Sequence, residues 1–545
     1  MTSKIVKLFK SGKKLLILCF TLVVTSCASI EKHNLQVNKH HSVEDLHEDI
    51  DKVYDQLQRN HPHLYQFTPK EVLDFKFDSL KKAIDEPMDS RTFYKQLSAV
   101  TKYVGQGHLS LSPPSIKLIK KERKAFNKTK FDVDNLDFEY LDEKLFIVNA
   151  RGNDSVLINA EVLKIEHESP QDLINNYNKI IASDGYNTTF HNRIVGNRFM
   201  RHYENDKGRF DSITFTLRNT DSTFVKMYKR VLIKDTSTFK RDSIKSDALK
   251  SIDKKKVKLT KAERKAKKTA SKAKRKHNQK YGYIVSRNEY TRNLNFVGKD
   301  STVALLKIRG FTNGKYKDFY DESFKTLDSL KTETLIIDLR NNLGGSASDI
   351  TYLYSYLTAE NYTMINPSEV HTRTPLLKSM MGSSTIPNLV KGVFALGAPI
   401  IATIEFLKTE KKDGVLYYKL KPSKEQKPKP LNFKGKIYVL INGSSFSASA
   451  VLSTKLHGEK RATFVGEETG GAYNGTVAGL SKTYELPNSK VQAKISLLYI
   501  DAPNKTVIDG YGVKPDVEIL PTYKDRLNNV DPELEWILED IAQNK

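Results

Sequence analysis

Residues 437–458 read IYVLINGSSFSASAVLSTKLHG. The apolar run Ile437–Ile441 predicts a buried strand, Asn442-Gly443-Ser444-Ser445 a tight turn, and Phe446–Leu456 a helix. Ser447 therefore falls at a helix N-terminus, where unpaired backbone N–H groups and the positive end of the helix dipole favour a developing oxyanion. Ser is also a preferred helix N-cap, so this stretch taken alone is equally consistent with plain capping. A second stretch, residues 335–345 (LIIDLRNNLGG), is a strand running straight into a Gly pair before another helix. Glycines let a backbone approach a substrate closely, and an N–H of Gly344 or Gly345 could join that of Ala448 to form an oxyanion hole.

Around these two stretches, residues 286–525 alternate strand and helix, which predicts an α/β core with a largely parallel sheet. Residues 360–433 interrupt it. Their apolar segment, IPNLVKGVFALGAPIIATIEFL, is broken by Gly392, Gly397 and Pro399, which argues against a membrane span and leaves a lid or cap as the reading. Upstream, SVEDLHEDIDKVYDQLQRNHPHLYQF (42–67) repeats apolar residues at helical spacing and halts at Pro62, and a second helical pattern covers Ser90–Tyr103. Residues 42–120 are thus expected to form a helical N-terminal domain. His108, in Gly107-His108-Leu109, opens an alternating run at its end. Residues 125–235 show short strands and one helical piece, a pattern that resembles a PDZ-like domain, in which a strand edge holds an extended peptide. Residues 526–545 read as a C-terminal tail helix.

The net charge is +25, but more than half of it is local. Between Lys240 and Lys280 stand 18 Lys and Arg against 4 Asp and Glu. Residues 240–285 have few large apolar side chains and read as a solvated, partly helical or disordered insertion, so nucleic acid is not an expected partner. At the N-terminus, Lys4, Lys7, Lys10, Lys13 and Lys14 precede the apolar run LLILCFTLVV, the pattern of a secretory signal. Val24-Thr25-Ser26-Cys27 looks like a bacterial lipobox. Residues 1–26 would then be a signal peptide, Cys27 the lipidated residue, and 27–41 a tether, with the protein held in the cell envelope on its periplasmic face or at the outer membrane. The mature chain would hold no disulfide.

Four segments in order, IIDLRNNLGG, VLINGSSFSASA, GEETGG and IDGYGVKPDVEI, closely resemble the signatures of the C-terminal processing, or tail-specific, serine protease family. The resemblance covers about residues 300–520. It implies a core of the ClpP and crotonase type, a peptide substrate and Ser447 as the nucleophile; no metal-ligand cluster, phosphate loop or dinucleotide fingerprint appears in the sequence, so no cofactor and no metal are expected. The best-known branch uses a Lys base in a GKG segment. Here that segment reads Thr469-Gly470-Gly471-Ala472, with Ala472 in the Lys position. The branch resembling tricorn protease uses a His base from an early segment, which His108 matches. There a Ser precedes the His and a late Glu helps to orient it; here those positions hold Gly107 and Asp509. The expected machinery is Ser447, His108 and Asp509, with Gly344, Gly345 and Ala448 at the oxyanion. Loss of the usual Lys keeps a second expectation open, an inactive family member that binds a peptide or lipophilic ligand.

Overall fold

The computed structural model describes residues 30–219, 222–233, 260–285, 287–298 and 300–544. The signal segment, Cys27 and much of the basic insertion lie outside the described residues.

The core sheet runs, in spatial order, through Arg292–Phe296, Val303–Ile308, Thr334–Asp338, Lys436–Ile441, Thr463–Gly466 and Val517–Glu518. Only the first pair is antiparallel; the other neighbours are parallel. Strands buried on both faces read as unbroken apolar runs rather than alternating ones, which is why 335–337 and 437–441 carry so little polarity. One face packs on the helices Tyr316–Ser329, Ala347–Tyr354 and Ala448–Gly458. The other is covered by the C-terminal helix Pro532–Gln543 through Ile537 and Ile541.

The helical segment at the N-terminus does not close a core of its own. Val43–Asn60 is capped by the Ser42 hydroxyl, which accepts from the Asp45 N–H, and its acidic first turn suits the helix dipole. Helix Lys70–Ala83, which the hydrophobic pattern did not announce, joins it with Ser90–Thr101. Leu46, Val53 and Phe93 then pack with Leu486, Val491, Ala493 and Ile495, the far end of the long hairpin Gly475–Glu485 and Gln492–Asp501. Strand Ser110–Ser112 is added to that hairpin, pairing with Gln492–Lys494.

Residues 129–232 form an antiparallel six-stranded sheet with three helices, Pro170–Asn178, Thr189–Asn197 and Phe199–Lys207, where five strands and one helix were expected. The segment 360–433 is woven into the hairpin's sheet through Ser368–Val370, Thr409–Lys412 and Val415–Tyr418. It also carries an outlying helix, Asn388–Lys408. The described part of the basic insertion is an exposed helix, Lys261–Tyr281, with a Thr260/Glu263 capping box and Gly282 in the left-handed region at its end.

Candidate active site

The two stretches singled out first meet at the C-terminal ends of adjacent parallel strands, Thr334–Asp338 and Lys436–Ile441, where ligands of such sheets bind. Their loops interlock. The Ser445 hydroxyl donates to Leu339 O at 2.8 Å, Phe446 N–H to Asn342 O at 3.1 Å, and Asn341 N–H to Asn442 Oδ1 at 3.0 Å. This bracing holds Ser447 at φ 57°, ψ −123°, directly before helix Ala448–Gly458. A non-Gly residue there is strained, and such strain persists only where the surroundings enforce it, often at functional sites. The turn presents the half-buried hydroxyl to a groove instead of folding it back as a cap, and it makes no capping bond to its helix.

His108 comes from the loop before strand Ser110–Ser112. Its Nε2 lies 3.0 Å from Ser447 Oγ, and its Nδ1 3.4 Å from Thr476 Oγ1 on the neighbouring strand Gly475–Glu485. Thr476 in turn is hydrogen-bonded to the carboxylate of Asp184, which is fully buried. That carboxylate also accepts the N–H groups of Gly107 at 2.7 Å and Ala472 at 3.3 Å. Burial pushes the Asp184 carboxyl up to about 6, against the opposing effect of these hydrogen bonds, so it is ionised at neutral pH. Burial, with a smaller contribution from Lys494, lowers the His108 imidazole to about 4, so it is neutral and able to accept a proton.

Phe446 locks the arrangement. Its ring stacks on His108 at 4.6 Å and inserts into the core of the β-rich lobe beside Phe190 and Ile194. This accounts for Gly107, since a Cβ there would come within 2.8 Å of the Phe446 ring and 3.2 Å of Asp184 Oδ1.

Two expected residues stand elsewhere. Asp509 does not touch His108: its carboxylate accepts from Gln66 Nε2 and from the Gly510 N–H, both at 2.8 Å. Gln66 and Gln106, with the latter held by the Val477 N–H, fill the space between them. The N–H of Gly344 is engaged by Asn342 Oδ1 at 2.9 Å and is turned into its own loop, not toward an oxyanion. Gly344 is needed for closeness instead, because at φ 91° its added Cβ would lie 2.7 Å from Ala448 N, Phe446 O and Ser447 Cβ. Gly345 (φ 140°) packs against Phe311 and Thr312, and Ala448 opens the helix directly after Ser447, with its backbone N–H in the first turn. Ala472 sits buried beside the site and contributes its N–H to Asp184. Thr476 and Asp184 were missed because neither lies in a recognisable segment; the Gly107-His108 dipeptide, with no side chain next to the His, was the nearest hint.

The groove around His108 is walled by the edge strand Ser110–Ser112, by Leu343 and Phe446, and by helices of the β-rich lobe rather than that lobe's strand edge. Four fixed cations, Lys102, Arg198, Arg201 and Lys494, line it without a single Asp or Glu. None of the four ion-pairs with a carboxylate among the described residues. Among the described residues, no group of three or more His, Cys, Asp or Glu is placed to hold a metal ion.

Residues 302–519 match the model of peptidase family S41. No curated protein gives a significant sequence match. The fold is similar to that of mature CPAF complexed with lactacystin, with a TM-score of 0.58 at 14% identity over 92% of this chain and 98% of that one. It is likewise similar to mature CPAF in a separate crystal structure, at 0.55 and 15% over 89% and 94%. At such identities the likeness is one of fold. The matched segment carries the nucleophile turn, the Gly loop and the late Asp509 segment; residues 302–519 are thus similar to peptidase family S41, and the chain is a serine-type peptidase.

Proposed function

We propose that the chain is an endopeptidase acting through an acyl-enzyme, with Ser447 as nucleophile and His108 as base, on extended segments of envelope or unfolded proteins. The observation that carries this reading is the unbroken line Ser447, His108, Thr476, Asp184. Its proton bookkeeping is self-consistent. Asp184 is acceptor-only, so Thr476 donates to it; the Thr476 oxygen then accepts from Nδ1–H, which fixes the tautomer and leaves the Nε2 lone pair facing the Ser447 hydroxyl.

As Ser447 Oγ bonds to the peptide carbonyl carbon, its proton passes to His108 Nε2, and the negative charge on the carbonyl oxygen is met by the N–H groups of Gly345 and Ala448. The imidazolium that forms is stabilised through Thr476 by Asp184. Collapse breaks the C–N bond, His108 gives its proton to the leaving amine, and a water deprotonated by the same Nε2 releases the acyl group. Asp509 acts, in this account, as a loop anchor for Gln66 and Gly510.

The groove supports a substrate class. An extended peptide can add to the free edge of Ser110–Ser112, and the unpaired cations Lys102, Arg198, Arg201 and Lys494 favour carboxylates on it. The lipobox-like Val24–Cys27 supports lipidation of Cys27 and a place in the cell envelope.

The test is cleavage of an unfolded, tagged protein by a chain of residues 30–545, which retains every described packed element. Wild type should cleave, Ser447→Ala and His108→Ala should not while remaining folded, and acidic peptides should outcompete basic ones. An inert wild type across pH and substrates would instead favour the peptide-binding reading.

A further inference from the structure

Helix Asn388–Lys408 is long and apolar enough to cross a membrane by length and composition, yet almost none of it is buried, Glu405 excepted. Leu389, Val393, Leu396, Ile400 and Leu407 are 83, 66, 86, 68 and 80% exposed. Their spacing places them on one face of the helix. The opposite side is tied down by buried Glu405, whose carboxylate accepts the N–H groups of Leu376 and Leu377 at the start of helix Pro375–Gly382, at 2.6 and 2.9 Å.

Both ends of the helix are fastened to one sheet. Just before it, Ser384 N–H donates to Thr483 O at 2.8 Å; just after it, Thr409 begins a strand that pairs with Val415–Tyr418. A helix so fastened lies along the molecule and does not pass through a bilayer. From the residue after Lys391 to the residue before Lys408 its exposed surface has no charge, and Lys391, Lys408, Lys411 and Lys412 gather at its two ends; the neighbouring carboxylate of Glu410, which Lys412 also feels, is ion-paired with Lys419.

We propose that this helix docks in the plane of an anionic lipid bilayer, with the Leu389–Leu407 face among the acyl chains and the terminal lysines at the headgroups. A second copy of the chain is the poorer occupant. A water-soluble helix pair carries charges beside its apolar seam, whereas here the flanking positions are Gly392, Ala395, Pro399, Ala402, Thr403 and Phe406. Apolar flanks and cationic ends suit a lipid interface, where such side chains sink below the headgroups and lysines meet anionic lipid. Thr385, three residues before the helix, lines the same groove as His108. Docking therefore holds the groove beside the membrane surface, independently of any lipid at Cys27 and of the peptidase mechanism.

The experiment is flotation of residues 30–545, carrying Ser447→Ala so that turnover plays no part, with vesicles of phosphatidylglycerol and phosphatidylcholine. The chain should float with them, and Leu396→Asp combined with Ile400→Asp should lower partitioning by at least about tenfold without changing the thermal midpoint, since both side chains are exposed. Partitioning should also weaken with salt and with Lys411→Gln and Lys412→Gln together. Absence of flotation, flotation unaffected by the Asp pair, or a concentration-dependent dimer that the Asp pair abolishes while vesicles are ignored would each overturn the proposal.

Discussion

Nε2 of His108 stands 3.0 Å from Oγ of Ser447, although 339 residues separate them in the chain. The family-matched segment alone does not contain this pair, since His108 precedes residue 302. The hairpin Gly475–Asp501 joins them: it receives Ser110–Ser112 as an extra strand and carries Thr476 opposite the imidazole. Truncation to residues 290–545 should therefore leave a sheet with a nucleophile and no base, and activity against an unfolded protein should be lost.

Removing the acceptor at Nδ1 tests the relay. Thr476→Val should lower kcat by about 10²-fold or more with KM little changed, because the imidazole loses its preferred tautomer while the groove is untouched. Thr476→Ser should restore most of the rate. Equal activity of the Val variant would remove Thr476 from the mechanism.

The acid limb of kcat/KM should follow Asp184 and then His108. Its folded value is held down at about 4, so the neutral base persists well below the ordinary pH of about 6.5; activity should decline first as Asp184 takes up a proton below about 6 and fall away as pH approaches 4. Lys494 adds to that depression. Lys494→Gln should therefore let the imidazole hold its proton more readily and move the limb to higher pH, as read from a pH–rate profile.

Gly344→Ala and Gly345→Ala should both abolish activity by distinct collisions. The first forces a methyl against Ala448 N and Ser447 Cβ at 2.7 Å, the second against Phe311 O at 2.2 Å, and both positions have positive φ. The loss of rate should be about 10²-fold or more, with the circular dichroism spectrum retained.

Much of the site was legible because its chemistry depends on local backbone. A strand, a tight turn and a helix place Ser447, and the Gly pair after Asp338-Leu339-Arg340 declares a close approach. His108 was legible only through resemblance, since nothing in Gly-His-Leu marks a base. Its orienting partner was not, because tertiary packing chooses it. Asp184 arrives from the loop between helices Pro170–Asn178 and Thr189–Asn197, and the late acidic residue expected in that role, Asp509, is drawn off by Gln66. The core shared by the N-terminal helices and the hairpin's far end was hidden for the same reason: Leu486 and Ile495 contact Leu46 and its neighbours only after the chain has closed on itself.

Stability should fall on the acid side. Burial holds His61 at about 3, with both ring nitrogens lacking a hydrogen-bond partner, and His202 at about 4. In the unfolded chain both take up protons near 6.5, so the unfolded state binds protons first. Stability is full above 6.5 and is lost as pH falls from there toward the folded values, by up to about 1.4 kcal/mol per pH unit for each. Urea midpoints at pH 7 and 4.5 check this, and His61→Leu should flatten the difference.

The most direct test is labelling of residues 30–545 with a serine-reactive fluorophosphonate, followed by peptide mass mapping. The account predicts one adduct on Ser447, absent in Ser447→Ala and formed far more slowly in His108→Ala. No adduct on the folded wild type, or one formed equally fast without His108, would contradict it.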